Sequence, residues 1–211
     1  MKATAVVTGG SGGIGRAVIE TLAAQGWDTV SLSRREGTDV SDEAEVKRAF
    51  GRLERLDALV HCAAVLVKAE LRELTAADWD AQVDSSLRGA FLCSREAFLR
   101  MKPAGSIVLV SSLSGVQGAE KFPGMAAYVA AKSGLAGLTE ALAVEGRPLG
   151  IRVNAVSPGA VDTEMLKIAG VEGPRLQPVA VAGIIAWLCS PASSPLSGAN
   201  LRMDPSGGAA Q

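Results

Sequence analysis

Histidine, tyrosine and cysteine are scarce in this chain of 211 residues, which holds one, one and three of them. A single histidine, His61, cannot build a His/Cys metal cluster and argues against a Ser-His-Asp hydrolase, so no metal site is predicted. The cysteines Cys62, Cys93 and Cys189 have no CxxC spacing and sit in apolar surroundings, as in Leu59-Val60-His61-Cys62-Ala63-Ala64. They read as buried free thiols of a reducing compartment. Charge of one sign is also missing. With 21 Lys+Arg against 22 Asp+Glu the net charge is −1, which gives a nucleic acid nothing to attract in bulk. No apolar run reaches membrane-spanning length, and the N-terminal run ending at Val7 is too short for a signal sequence. A cytoplasmic protein without membrane or nucleic-acid partners is expected.

What is present is a globular composition, 48% hydrophobic and 20% charged, at a length suited to one domain over residues 1–211. Short apolar runs alternate with longer amphipathic stretches, the pattern of repeated βαβ units. Strands are predicted over residues 3–8, 29–33, 57–61, 106–111, 151–156 and 199–203, with a very short one at 38–40 on the sheet edge. Helices are predicted over 13–25, from a cap at Asp42 to about 53, over about 77–101, and over 125–145 and 179–189. The fold class is therefore α/β, a Rossmann-like doubly wound parallel sheet in a single domain.

Between the first strand and first helix stands Thr8-Gly9-Gly10-Ser11-Gly12-Gly13-Ile14-Gly15. Glycines let the backbone turn sharply and approach a ligand, and the following helix aims free N–H groups at the same point. Together they suit a pyrophosphate, with Gly9, Ser11, Gly13, Ile14 and Gly15 as candidate contacts. No Gly-Lys-Ser/Thr follows, which disfavours a P-loop. An NAD-binding domain usually carries an acidic side chain at the end of the second strand, about 20 residues on. Here Ser33 stands there, followed by Arg34 and Arg35, and a hydroxyl beside a guanidinium suits a 2′-phosphate. NADP(H) is the preferred coenzyme, with NAD(H) kept as the second choice.

The only tyrosine, Tyr128, precedes Lys132 by one helical turn, which puts both side chains on one face. An ammonium beside a phenol is expected to lower its pKa and fit it for proton transfer to or from a carbonyl oxygen. Ser111-Ser112 closes the preceding strand, where folds of this kind gather reactive groups, and a hydroxyl there could hold the substrate oxygen.

These residues resemble the short-chain dehydrogenase/reductase family over essentially the whole chain. Thr8-Gly9, Gly13 and Gly15 are similar to its TGxxxGxG loop, and Tyr128 with Lys132 to its YxxxK pair. The family's catalytic serine falls on Ser112, with Ser111 the lesser candidate. The segment from Asn154 to Gly159, with Val161 and Thr163, is similar to its N-A-x-x-P-G-x-x-x-T stretch, so Pro158, Gly159, Val161 and Thr163 are assigned to the nicotinamide. Asp39-Val40 resembles its adenine-contacting pair, and Ala63 lies in its N-N-A-G stretch. Ser197-Gly198 with Asp204-Pro205-Ser206-Gly207-Gly208 resembles its closing segment. The resemblance implies a Ser–Tyr–Lys centre and transfer of hydride between the nicotinamide and a carbonyl or secondary alcohol. It also implies that Lys132 holds the nicotinamide ribose, and a homodimer or homotetramer. Small residues along the helix of Tyr128 suit packing between subunits or within one.

Three departures stand out. The family's fourth catalytic residue, an asparagine, falls on Ser86. The N-N-A-G stretch reads His61-Cys62-Ala63-Ala64. Finally, the segments 34–39 and 163–178 are short, so the adenine end is expected to be open and the substrate lid small. The departures at Ser86 and Cys62 motivate an alternative: a dinucleotide-binding regulatory or sensor protein of the same fold with reduced catalysis. A third reading keeps the cofactor but changes the reaction to epimerisation or dehydration.

Overall fold

A computed structural model describes residues 2–206, and the predicted contacts of Gly207 and Gly208 lie outside the described residues. β1 (Thr4–Thr8), β2 (Asp28–Leu32), β3 (Ala58–His61), β4 (Ser106–Val110), β5 (Arg152–Pro158) and β6 (Asn200–Met203) form one sheet. Every pairing is parallel, in the order β2-β1-β3-β4-β5-β6. A parallel sheet covered on both faces needs apolar residues at successive positions, and the strands supply them. Val6, Leu59, Ile107, Leu109 and Val153 point to one core, while Ala5, Val7, Ala58, Val60, Val108 and Val156 point to the other.

The first core is closed by α2 (Glu43–Gly51), α4 (Gly89–Phe98) and α5 (Ala126–Gly146), through Phe50, Leu92, Ala97 and Leu135. The second is closed by α1 (Gly13–Ala24) and α7 (Pro178–Cys189), through Val18, Leu22, Ile185 and Leu188. Each such leucine or phenylalanine contributes about 1.5–3 kcal/mol by leaving water. The Rossmann-like doubly wound reading holds.

Local differences have identifiable causes. Residues 38–40 form no strand. The Asp39 carboxylate instead accepts from the Ser41 amide (2.9 Å) and hydroxyl (2.7 Å), turning the chain directly into α2. β2 is thus left as the sheet edge. The long helix predicted over 77–101 is divided into α3 (Ala76–Val83), a π-turn at Asp84–Arg88, and α4. Such a turn inserts an extra residue and often marks a functional site. The short lid region contains one small helix, α6 (Glu164–Ala169). No helix among the described residues is long and apolar enough to cross a membrane.

Candidate active site

Strand order reverses between β1 and β3, whose connections leave to opposite sides and open a crevice at the carboxyl ends of the strands. The glycine loop lies in it. Gly9 is left-handed at φ +67°, and a Cβ there would come within 2.9 Å of the Ala63 backbone. One on Gly15 would lie 2.3 Å from the Gly9 carbonyl, and one on Gly13 would lie 2.4 Å from the Thr163 side chain. The glycines therefore serve the packing of the loop and of the lid upon it. α1 begins behind Gly12, whose missing side chain makes no cap for the first-turn N–H groups. Uncapped amide donors at a helix start, with Ser11 exposed beside them, fit a pyrophosphate.

At the end of β2, Ser33 is buried and the Arg34, Arg35 and Glu36 turn is exposed. Asp39 faces this end with its carboxyl held below the ordinary value. Burial raises it, but the Ser41 hydrogen bonds and the nearby Arg34 outweigh that. Val40 is buried against Gly89 at the start of α4. Sequence reasoning missed Glu36, whose carboxylate accepts from both Ser31 and Ser33 at 2.6 Å. The available signal was its position three residues after a strand-ending serine, the reach of a tight turn.

At the other end, β4 and α5 are fastened together. The Ser111 hydroxyl donates to the Lys132 carbonyl at 2.7 Å, and the Ser133 hydroxyl donates to the Gly115 carbonyl at 3.0 Å. A Cβ on Gly115 would sit 2.6 Å from the Lys132 backbone, so only glycine lets the loop after β4 press on this helix. Ser111 is consumed in this joint. Ser112 instead caps the following turn, its hydroxyl accepting from the Ser114 amide at 3.2 Å, and its hydroxyl opposes the upward pull of burial on the Tyr128 phenol. Pro158 and Gly159 close β5, with Gly159 wedged between Pro205 and Leu113, and Val161 bridges to Leu176 beneath the lid. Asn154 is structural: its amide binds the Leu196 carbonyl and the Ala199 amide at 3.0 and 3.1 Å.

Lys132 is buried with its ammonium 5.6 Å from the Tyr128 ring centre, and it donates to the Val110 carbonyl at 2.7 Å. Burial pulls its pKa down to about 8. The expectation that this ammonium acidifies the phenol is corrected here. Burial raises the Tyr128 pKa above its ordinary value, and the opposing influence is the Ser112 hydroxyl, because Lys132 spends its hydrogen bond on β4. A phenol raised this way is protonated at neutral pH and is poised to give a proton.

Ser86 lies buried in the π-turn, its hydroxyl and that of Ser85 without partners among the described residues. His61 is wholly buried opposite this turn. The Thr8 hydroxyl accepts from the Ala63 amide at 3.1 Å and meets His61 Nδ1 at 2.9 Å. Nε2 lies beside the Ser85 and Ser86 carbonyls without reaching hydrogen-bonding geometry. Burial, with the Lys132 ammonium nearby, drives the His61 pKa down to about 3, so the ring is neutral. The neighbouring Cys62 thiol is pushed up to about 12 by burial and is inert.

The profile of the family described as Enoyl-(Acyl carrier protein) reductase matches residues 9–208. The structure is similar to a short chain dehydrogenase from Burkholderia cenocepacia J2315, solved in complex with NADP. It superposes with a TM-score of 0.86 at 27% identity over 96% of each chain. The chain belongs to the short-chain dehydrogenase/reductase family. Within that family it is 37% identical to the cis-4-hydroxycyclohexanecarboxylate dehydrogenase of Sinomonas cyclohexanicum, over 95% of this chain and 94% of that one. It is 34% identical to the acetoacetyl-CoA reductase of Cupriavidus necator, over 95% and 96%. The first alignment runs over 239 positions against 211 residues here, so this family member lacks segments its relative carries.

Proposed function

We propose that the protein is an NADP(H)-preferring oxidoreductase that interconverts a carbonyl and a secondary alcohol. One observation carries this reading: a buried phenol has the Lys132 ammonium 5.6 Å from its ring centre, on the helix that Ser111 ties to the end of β4. The glycine loop, Ser33 and Arg34 at one end and Lys132, Pro158 and Thr163 at the other would hold a nicotinamide dinucleotide, which would supply or accept the hydride when bound. Ser112 orients the substrate oxygen, and Tyr128 gives its proton to that oxygen as negative charge develops there. Lys132, fastened to β4 through the Val110 carbonyl, would hold the nicotinamide ribose beside the phenol.

Above Tyr128 stands an apolar cluster of Leu66, Met125 and Ala169, with Phe122, Met165 and Val171 packed around it. It fits a carbonyl attached to an apolar ring or acyl chain. The NADP complex of the Burkholderia protein and the names of the two relatives agree with this class. Three free thiols, of which Cys93 and Cys189 are buried and Cys62 half-buried, accord with a cytoplasmic setting. Exposed Phe91 and Val144 on α4 and α5 accord with a homodimer or homotetramer.

The test is NADPH oxidation, followed by absorbance, against a ketone and aldehyde panel that includes 4-oxocyclohexanecarboxylate and acetoacetyl thioesters. Turnover is expected in the parent, with a loss of about 1,000-fold or more in Tyr128→Phe at unchanged thermal stability. Tight nucleotide binding with no turnover on any panel member would overturn the reading in favour of a dinucleotide sensor.

A further inference from the structure

The loop that follows β3 carries a lysine to the wall of the apolar cluster above Tyr128. Lys68 stands two residues beyond Leu66, a buried member of that cluster. Its ammonium donates to the carbonyl of Ala169, another buried member at the end of α6, at 2.8 Å. Two left-handed glycines make the seat. A Cβ on Gly124 (φ +78°) would come within 3.0 Å of the Lys68 Cγ, and one on Gly170 (φ +63°) within 3.4 Å of its ammonium. The Ala69 amide donates to the Gly124 carbonyl at 3.0 Å and holds this loop against the segment that leads into α5. Lysine has three N–H donors, and Lys68 uses one of them among the described residues. No carboxylate pairs with it there, whereas on the lid Lys167 meets Glu164 and Arg175 meets Asp162. Lys121, on the loop after β4, turns instead to the Val116 and Ala119 carbonyls of its own loop.

We infer that Lys68 is a specificity-determining residue, the cation that receives a carboxylate carried by the substrate on the apolar body next to its carbonyl. This deepens the carbonyl-reductase reading given above and rests on it. The substrate class is then a keto acid, or the matching hydroxy acid, in which an apolar ring or chain separates the two groups. The carbonyl lies at Tyr128, the apolar part against Leu66, Met125 and Ala169, and the carboxylate at the Lys68 ammonium on the rim. An ammonium is a poor neighbour for an uncharged chain end, because it must shed water to accept apolar contact. A carboxylate replaces that water with charge-assisted hydrogen bonds from the remaining N–H groups. The same ammonium holds the last carbonyl of α6, so a bound carboxylate also steadies the lid over the apolar body.

Steady-state reduction of 4-oxocyclohexanecarboxylate and of its methyl ester by the full chain with NADPH tests one ring with and without the charge. The parent should favour the acid in kcat/KM by about ten-fold. Lys68→Met should raise KM for the acid about ten-fold at little-changed kcat, keep the ester within about two-fold, and bring the ratio to about one. Lys68→Arg, which keeps the cation, should retain the preference, and Lys121→Met should leave it unmoved. A clasp with a purely structural role would shift acid and ester together; that result overturns the inference, as does a ratio that Lys68→Met leaves in place. Turnover of other ketones but of no keto acid also removes this inference alone. Absence of turnover on every ketone and aldehyde tried removes the carbonyl-reductase reading and this inference with it.

Discussion

Around Tyr128, polar side chains are buried and tied to backbone groups of neighbouring elements: Lys132 to β4, Ser111 to α5, Asn154 to the segment before β6. At the end of β2 the exposed carboxylate of Glu36 gathers the half-buried Ser31 and the buried Ser33, so that polar side chains meet one another rather than backbone groups. The difference matters because a buried group left unpaired loses its full solvation, whereas an exposed one is resolvated by water. The end around Tyr128 is therefore expected to tolerate substitution less than the end of β2.

The contrast can be broken most decisively at Lys132. Lys132→Met removes an ammonium from the crevice, and kcat for carbonyl reduction should fall by about 100-fold or more. A loss below three-fold would mean that the buried end is no more demanding than the exposed one.

A second test uses acid. The folded-state pKa of His61, about 3, lies below the ordinary value of 6.5, so between these values the unfolded chain binds a proton that the folded chain refuses. Stability from this residue is fully present above pH 6.5 and is lost progressively as pH falls towards 3. Between pH 7 and pH 5 the expected loss is about 2 kcal/mol, read from urea unfolding at the two values. In His61→Asn that part of the pH dependence should vanish. Equal acid sensitivity in parent and variant would remove the buried histidine from the account.

The smallest effect is expected at the rim. Arg34→Ala should weaken NADPH about ten-fold while leaving NADH within about two-fold, as measured by equilibrium titration. Equal weakening of both would show that Arg34 serves the shared part of the nucleotide rather than the 2′-phosphate.

Much of this was legible beforehand because its signals are local. Buried parallel strands announce themselves as apolar runs, the glycine loop as a glycine cluster after a strand, and the tyrosine and lysine as a one-turn spacing. The π-turn at Asp84–Arg88 was not legible, since helix periodicity through residues 77–101 conceals one inserted residue. Nor was the missing edge strand. The apparent strand signal at 38–40 loses to the side-chain turn of Asp39 and Ser41, which satisfies the backbone locally at less conformational cost. Nor was the structural role of Asn154, whose side chain binds the Leu196 carbonyl and the Ala199 amide, partners that lie more than forty residues along the chain.

Residue types and their spacing determined the fold class, the glycine cradle and the pairing of Tyr128 with Lys132, because each depends on neighbours along the chain. Tertiary structure alone decided that the Lys132 ammonium binds the Val110 carbonyl, that burial keeps the phenol protonated, and that Glu36 clasps Ser31 and Ser33. Those outcomes depend on desolvation and on partners distant in sequence or brought together by a turn, and side-chain electrostatics is set by what surrounds a group in three dimensions.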